Sequence, residues 1–441
     1  VNWETVAIPA SALDIVRTLR AAGFRSLLAG GCVRDLALGL EPADFDIATD
    51  APPEQVQRLF EHTVAVGIAF GIITVIAGDG SHYEVARFRT DLGYADGRHP
   101  TAVAFTDAVE EDARRRDFTI NGMFLDPLEG RLIDYVGGEE DLGRQLVRAI
   151  GEPAERFGED YLRMLRAVRL AAGLGFEIEA ETLAAVAAHA GNLECISAER
   201  IRDELTRMLT APGARRGLQW MMETGMMQAV LPEVAAMDGV PQPPEFHPEG
   251  DVWTHVRQMV ELLESPSSAL AWSVLLHDIG KPQTYTVAER IRFDGHDAVG
   301  AQMAEGICRR LRFSGTETDR VRTLVAQHMR IVHAPRMRLS KLKRFLREPF
   351  FEELLELHRI DCLASHGKLD VHAFCQGQLD EVEPEQLHPP RLITGDDLLK
   401  LGFEPGPQFA QILSRVEEEQ LEGRLLSREA ALQWVARSFT A

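Results

Sequence analysis

Three scarcities frame this chain of 441 residues. Cysteine is the first. The five cysteines (Cys32, Cys195, Cys308, Cys362, Cys375) are scattered and form no Cys-x-x-Cys. That excludes a disulfide scaffold and suits reduced, mostly buried thiols in a cytoplasmic protein. Long apolar runs are the second. The longest, such as Ala269–Leu276, fall far short of a bilayer span, so no membrane partner is expected. The N-terminus has no basic stretch leading into an apolar one, so no signal peptide is expected. Positive charge is the third: 47 Lys and Arg stand against 68 Asp and Glu, a net charge of −21. As an average this argues against a polyanionic partner, because phosphate binding leans on cationic side chains.

What is present points partly the other way. Hydrophobic residues make up 45% of the chain, enough for real cores, and the length implies two to four domains. Basic residues cluster. From Arg309 to Arg347 there are twelve Lys or Arg and two acids, Glu317 and Asp319. Arg114-Arg115-Arg116 and the series Arg163, Arg166, Arg169 are further clusters. Such stripes either bind RNA, more weakly as salt rises, or lie around solvated helices.

The first third mixes short β-type runs with helices. Ser11–Ala22 reads as a helix, and Ser26–Ala29 and Phe45–Ala48 read as strands. Gly71–Ala77 is β-branched and apolar, so a central strand, with His82–Arg89 alternating beside it. Arg89–Pro100 is rich in Gly, Asp and Arg and reads as a mobile loop. Ile120–Leu125 and Arg131–Asp134 suggest a hairpin. After Asp141 strand signals vanish and helical spacing takes over, broken at Val240–Pro244 and again at His388-Pro389-Pro390. The fold class is therefore α+β, one mixed head before a long helical body.

Chemistry concentrates in the head. Gly30-Gly31-Cys32-Val33-Arg34-Asp35 is a glycine turn that lets backbone N–H groups approach a phosphate, with an arginine beside it. A short loop later come Asp44-Phe45-Asp46. If they lie on one strand, period-two alternation puts both carboxylates on one face, where they can hold a pair of magnesium ions. Glu84 is either a third carboxylate for that site or an edge-strand charge. Arg114–Gly122 sets arginines beside the site, able to neutralise triphosphate charge, with Phe118 and Ile120 as apolar anchors. In Glu159–Arg169, read as one helix, Asp160, Arg163 and Arg166 fall near one face and Arg169 continues the ridge. An acid and an arginine so placed can read a base edge, or form an intrahelical salt-bridge ladder.

The glycine turn followed by the aspartate pair resembles the polymerase-beta-like nucleotidyltransferases. With the Arg89–Pro100 loop, the Arg115–Gly122 segment, the Glu159–Arg169 helix and Ile196–Ile201, the set resembles the class II tRNA nucleotidyltransferases, the family of CCA-adding enzymes and bacterial poly(A) polymerases. The resemblance is dense from Ser26 to Pro232. It implies that Gly31 and Arg34 contact nucleotide phosphates, that Asp44 and Asp46 are the catalytic Mg²⁺ ligands, and that Arg116 contacts nucleotide; Glu84, from its strand context, is the third catalytic candidate. Asp160 and Arg163 would form an amino-acid template pairing with CTP or ATP, with Arg166 and Arg169 in support. Tyr161 stands where many members have proline, which implies a slightly earlier helix start.

A second resemblance lies in the body. His255 and His277-Asp278, in helical context, resemble an HD phosphohydrolase domain, in which His and Asp from separate helices hold one or two divalent metals. Asp361 and His296 are candidate further ligands, and His328 sits in an amphipathic helix. The implied domains are residues 1–145 (nucleotidyltransferase head), 146–240 (helical neck with the nucleotide-template helix and RNA-binding region), 245–377 (HD domain) and 378–441 (helical tail). The expected function is template-independent addition of CTP- and ATP-derived nucleotides to a tRNA 3′ end, as CCA or as terminal A. A full-length loop at Arg89–Pro100 makes CC-only addition the weakest reading. The alternatives are an HD phosphohydrolase with a nucleotide-sensing head, or a poly(A) polymerase, against which the net charge of −21 speaks mildly. Oligomeric state is not legible.

Overall fold

A computed structural model describes residues 3, 6–65, 70–94, 100–382 and 387–440. The chain divides into two compact units, Val1–Ala235 and Ala236–Ala441. In the first unit, α1 (Ala10–Ala21) buries Ala12, Ile15, Val16 and Leu19, the spacing of one helix face. It leads into β1 (Ser26–Ala29), buried on both faces, then α2 (Gly31–Ala37) and β2 (Asp46–Thr49). After α3 (Pro53–Leu59) come β3 (Thr63–Val64), β4 (Ile72–Ile76) and β5 (His82–Arg87). The hairpin β8 (Phe124–Asp126) and β9 (Arg131–Ile133) completes a seven-stranded sheet in the order β3-β4-β5-β2-β1-β8-β9. β2 runs parallel to β5, while β1 is antiparallel to both of its neighbours. β4 is interior but second from the edge, not central as its sequence suggested. Beneath the sheet Leu27, Ala48, Phe88, Val109, Ala113 and Phe124 form one buried cluster.

The segment read as a mobile loop is different in its described part. β6 (Arg89–Tyr94) and β7 (Pro100–Phe105) pair antiparallel, with Arg89 opposite Phe105; residues 95–99 lie outside the described residues. Glycine and aspartate masked the strand signal there, and the ladder bonds override it. β7 leads to α4 (Val109–Arg114), and α5 (Gly138–Gly143) follows β9.

The rest of the unit is mainly helical. α6 (Pro153–Glu159) and α7 (Leu162–Leu174) are separate helices. α8 (Ala180–His189), α9 (Ala198–Leu209), α10 (Ala214–Glu223), α11 (Met226–Val230) and α12 (Pro232–Ala235) follow. Strand signals do not vanish entirely: Leu146–Val147 (β10) pairs with Glu177–Ile178 (β11). On α9 the buried positions Ile201, Glu204, Leu205 and Met208 keep the spacing of a core face although one is an acid.

The second unit opens with α13 (Val252–Glu261), α14 (Ser268–Leu276) and α15 (Lys281–Thr284). A small hairpin, β12 (Thr286–Val287) and β13 (Ile291–Arg292), precedes α16 (His296–Arg310) and α17 (Gly315–Gln327). α18 (Leu339–Leu346), α19 (Phe351–Ala364) and α20 (Asp370–Glu381) continue the helical pattern. Three helices, Gly395–Lys400, Pro407–Leu421 and Arg428–Ser438, enclose a separate apolar cluster around Leu398, Ile412 and Val435. All five cysteines are unpaired thiols, and four of them are buried. Among the described residues no helix is long and apolar enough to cross a membrane.

Candidate active site and metal centre

The head site starts at a glycine. The chain leaves β1 and turns into α2 through Gly30, at φ 78° and ψ −133°, a conformation that side chains with a Cβ avoid. A Cβ at Gly30 would stand 2.9 Å from Nη1 of Arg116 and 3.9 Å from Oδ2 of Asp46. The bare backbone therefore lies against both an arginine and an aspartate. Gly31 opens α2, and Arg34 on the same helix donates to Asp35 at 2.8 Å and to Oδ1 of Asn121 at 2.7 Å.

Asp44 lies just outside the strand that Asp46 opens. β2 begins at Asp46; Phe45 turns into the core, and Asp44 stands exposed in the preceding segment. Parallel pairing brings a third acid alongside. Ile47 lies opposite Val85, which places Asp46 and Glu84 alongside each other on neighbouring strands. Burial, then the charges of Asp44 and Glu84, raises the Asp46 carboxyl to about 6, against the opposing pull of Arg116. The three acids of the head thus act on one another electrostatically.

Arg116 is held in place by a residue whose sequence context is unremarkable. Asp112 on α4 is buried, and its Oδ2 accepts from Arg116 Nη2 at 3.1 Å. Its Oδ1 accepts from Arg115 Nε at 2.8 Å and from the backbone N–H of Arg89, the first residue of β6, at 3.2 Å. Burial would raise this acid, but the two guanidinium charges hold it below the usual carboxylate range. Arg116 also lies over the ring of Phe124, 4.9 Å from its centroid. In sequence Glu110-Glu111-Asp112 resembles any solvated acidic turn, so only tertiary packing distinguishes Asp112.

Asp160 is not on a helix with Arg163. It is extended, at φ −150° and ψ 104°, between α6 and α7, and α7 starts at Leu162, later than the sequence suggested. The break is held by Arg200 on α9, which grips both Asp160 oxygens at 3.1 and 2.6 Å. Asp160 Oδ1 also accepts from the N–H of Leu162 at 3.1 Å, serving the first turn of α7. Arg163 bonds Glu159 and the carbonyls of Arg156 and Arg115, the last at 3.2 Å. Arg166 forms a two-point pair with buried Asp117, at 2.8 and 2.6 Å. Burial would raise Asp117, yet the Arg166 charge and hydrogen bonds hold it well below the carboxylate range. Arg169 pairs with Glu204, which explains how an acid occupies the buried face of α9. Arg200 lies in the Ile196–Ile201 motif, so its position was legible but its partner was not.

The second unit gathers histidines and acids from several helices. His255 comes from α13, His277 and Asp278 follow α14, His296 opens α16, His328 follows α17 and Asp361 lies on α19. Among the described residues three trios result, His255–His277–Asp361, Asp278–His296–His328 and His247–Glu249–His255; within each, ligand atoms lie within 4.8 Å of one another. Nε2 of His296 is 3.1 Å from Nε2 of His328 and 3.5 Å from Asp278 Oδ1. The approach is possible because Gly280 has no side chain: a Cβ there would overlap the His296 carbonyl. The Asp44–Asp46–Glu84 group does not close to such distances.

The donor set of this cluster could hold a cation. His277 Nε2, Asp278 Oδ2 and both ring nitrogens of His255 are buried without an aligned hydrogen bond and face ionisable neighbours, Lys281 and His277 at 2.6 and 3.1 Å from Asp278 Oδ2, Glu249 and Asp361 at 2.7 and 3.2 Å from the His255 nitrogens. Such groups are costly unless something else satisfies them. Burial would lower His255, but Asp361 and Glu249 raise it to about 9. Burial and the nearby His277 hold His328 down, at about 4. Glu249 Oε1 sits 2.7 Å from His255 Nδ1 and 2.8 Å from His247 Nδ1, so it steers the His255 ring. His247 and Glu249 carry no sequence signal of their own, since they fall just after the proline-rich break.

The basic run from 309 to 347 resolves in part. Arg309, Arg320, Arg322, Arg338, Arg344 and Arg347 all pair with acids of the same unit. Arg309 and Arg322 pair within their own helices, while Arg320, Arg338, Arg344 and Arg347 pair with acids of other segments.

Comparison with known proteins fits these two sites. The poly A polymerase head domain family matches residues 26–148, the probable RNA and SrmB-binding site of polymerase A matches 175–237, and the HD domain matches 251–364. The CCA-adding enzyme of Lactobacillus gasseri is 31% identical over 426 residues, 96% of this chain and 95% of that protein. That of Bacillus velezensis is 32% identical over 438 residues, 96% and 97% of the two chains. Among solved structures, the Bacillus stearothermophilus CCA-adding enzyme in complex with CTP is 26% identical, with a TM-score of 0.74 over 97% of this chain and 96% of that one. The Thermotoga maritima CCA-adding enzyme complexed with tRNA, at 18% identity and a TM-score of 0.63, shares the fold over 99% and 97%.

Proposed function

This chain belongs to the CCA-adding enzyme family, and from that premise we propose how its residues carry the reaction. It adds nucleotides to the 3′ end of tRNA without a nucleic-acid template, using CTP and ATP. The family favours this over a nucleotide-sensing head and over poly(A) polymerase. We assign 1–145 to the catalytic head, 146–240 to the neck, 245–377 to the HD domain and 378–441 to the tail.

The observation that carries the reading is the meeting of Gly30, Arg116 and Asp46 at one point of the head. Asp44, Asp46 and Glu84 are hard oxygen donors, and the raised Asp46 carboxyl is unneutralised negative charge, which suits Mg²⁺. When bound there, Mg²⁺ neutralises phosphate charge and eases loss of the proton from the attacking 3′-hydroxyl. The chain's own groups do the rest. Gly31 and Arg34 meet the triphosphate with backbone N–H and guanidinium donors, and Arg116 adds charge beside the reacting phosphate. The 3′-oxygen bonds to the α-phosphorus as the bond to pyrophosphate breaks. Asp160 accepts from the exocyclic amino group of cytosine or adenine while Arg163 donates to the base edge. Arg166 and Arg169, locked by Asp117 and Glu204, keep α7 rigid beneath that contact.

In the HD domain His255, His277, Asp278 and Asp361 bind a divalent cation, and the neighbouring His296 and His328 extend the donor set. The buried imidazole nitrogens and carboxylate oxygens that face one another there are a donor set that fits such a group. When bound it supplies hydroxide at neutral pH, suited to hydrolysis of a phosphoester. The deciding experiment offers three tRNAs, ending before, within and just short of CCA, with each nucleotide singly. Stepwise C, C, A addition resolved at single-nucleotide length is expected. Extension only of the tRNA lacking the last residue marks A-only addition, and no extension of any overturns the reading.

A further inference from the structure

The cation nearest the His/Asp centre is already engaged. Lys281 Nζ lies 2.6 Å from Asp278 Oδ2 and 2.6 Å from Gln242 Oε1. It therefore neutralises the centre's own acid and has little charge left for a ligand. Uncommitted cations stand on a different element. β12 and β13 pair with Thr286 opposite Arg292, and Arg290 sits in the turn between them. Both arginines are exposed, and among the described residues neither guanidinium has an ion pair or hydrogen bond. Yet both line the cavity of about 630 Å³ whose wall includes Asp278, His296, His328 and Asp361. The same cavity carries Phe246, Met329 and Val332, left 51%, 42% and 44% exposed.

Two unpaired guanidiniums on a protein of net charge −21 are a local exception, and guanidinium forks match phosphate oxygens. The volume lies within the range of roughly 300–1,000 Å³ typical of sites for drug-sized ligands, well beyond what a lone phosphate fills. The apolar wall suits a flat ring. We propose that this cavity binds a nucleoside carrying two phosphate groups, one at the His/Asp centre and the other on Arg290 and Arg292, with the base against Phe246, Met329 and Val332. The ligand is either the end of an RNA strand, whose next phosphodiester supplies the second charge, or a free nucleoside bisphosphate. The inference rests on the reading of the centre as a divalent-cation site; hydrolysis there is read out separately.

The test uses the full chain with Mn²⁺, as wild type, as the R290A/R292A double variant and as the charge-keeping R290K/R292K. Calorimetric binding and phosphate release are measured with adenosine 3′-phosphate, adenosine 3′,5′-bisphosphate and a dinucleotide ending in a 3′-phosphate. Para-nitrophenyl phosphate reports the centre alone. For both two-phosphate ligands the double variant is expected to weaken binding and raise KM about tenfold, with kcat unchanged and partial rescue by lysine. Adenosine 3′-phosphate and para-nitrophenyl phosphate should change less than about twofold, and the tenfold effect should shrink in high salt. A dinucleotide effect without a bisphosphate effect identifies the strand end as the ligand, and the reverse identifies the free nucleotide. Equal loss for all four compounds, or loss for none, overturns the proposal. If wild type hydrolyses nothing but still binds the two-phosphate ligands through these arginines, the proposal stands and the phosphohydrolase reading falls.

Discussion

Asp46→Asn should stabilise the head while abolishing nucleotide addition, and the structure sets the size of the gain. Burial, Asp44 and Glu84 together lift the Asp46 carboxyl from 3.8 to about 6. For an acid raised in this way, the stability contribution is complete below pH 3.8 and is lost as pH rises through about 6. A shift of about two units corresponds to about 3 kcal/mol, trimmed to about 2 kcal/mol at a partly solvated group. Asparagine removes the charge and keeps the shape. At pH 8, with EDTA present, backbone amides of residues 46–49 should exchange roughly thirtyfold more slowly in the variant, because about 1.4 kcal/mol is a factor of ten. At pH 4 the two proteins should exchange alike. Mg²⁺ should slow exchange in wild type more than in the variant. Hydrogen exchange read by peptide mass spectrometry isolates the head from the second unit. Equal protection at pH 8, or an equal gain at pH 4, would refute the electrostatic account of this site.

Asp117→Asn strands the Arg166 charge and should cost about 3 kcal/mol, read as a lower urea midpoint at pH 7. Because Asp117 is depressed in the fold, the wild-type advantage should hold above its unfolded value of 3.8 and fade as pH falls below it. Arg200→Ala releases Asp160 from its two-point grip and should blur the choice between CTP and ATP by about tenfold, with Arg200→Lys restoring part of it. Competition between the two nucleotides on one tRNA measures this, and unchanged selectivity would remove Arg200 from the site. His255 stands near 9 without a cation, so Mn²⁺ binding at pH 7.5 should release about one proton. Calorimetry in two buffers of different ionisation enthalpy counts it, and His255→Ala should abolish that release.

The head was legible because its signals are local. A glycine turn, an acid pair and an arginine-rich segment each appear within a few residues, and their order along the chain carries the family. The parts that were not legible depend on distant partners. Nothing in Glu159–Arg169 forbids a continuous helix; it is Arg200, forty positions on, that holds Asp160 outside it. The hairpin from Arg89 was hidden by residues that disfavour strands in isolation. Asp112 looks like a surface acid until Arg115, Arg116 and the Arg89 amide converge on it. In the second unit His277-Asp278 advertised itself, whereas Glu249 acts through His255 and leaves no pattern of its own.

The shielded carboxylate of Asp112 joins the root of the β6–β7 hairpin to Arg116, and the neighbouring Arg115 carbonyl extends the link to Arg163. The hairpin, the guanidinium flanking Asp46 and the arginine proposed to face the base are therefore linked through one set of hydrogen bonds. On the proposed roles, a change in the hairpin's position reaches the phosphate-side arginine and the base-side arginine through the same bonds, so phosphate grip and base choice are expected to change together.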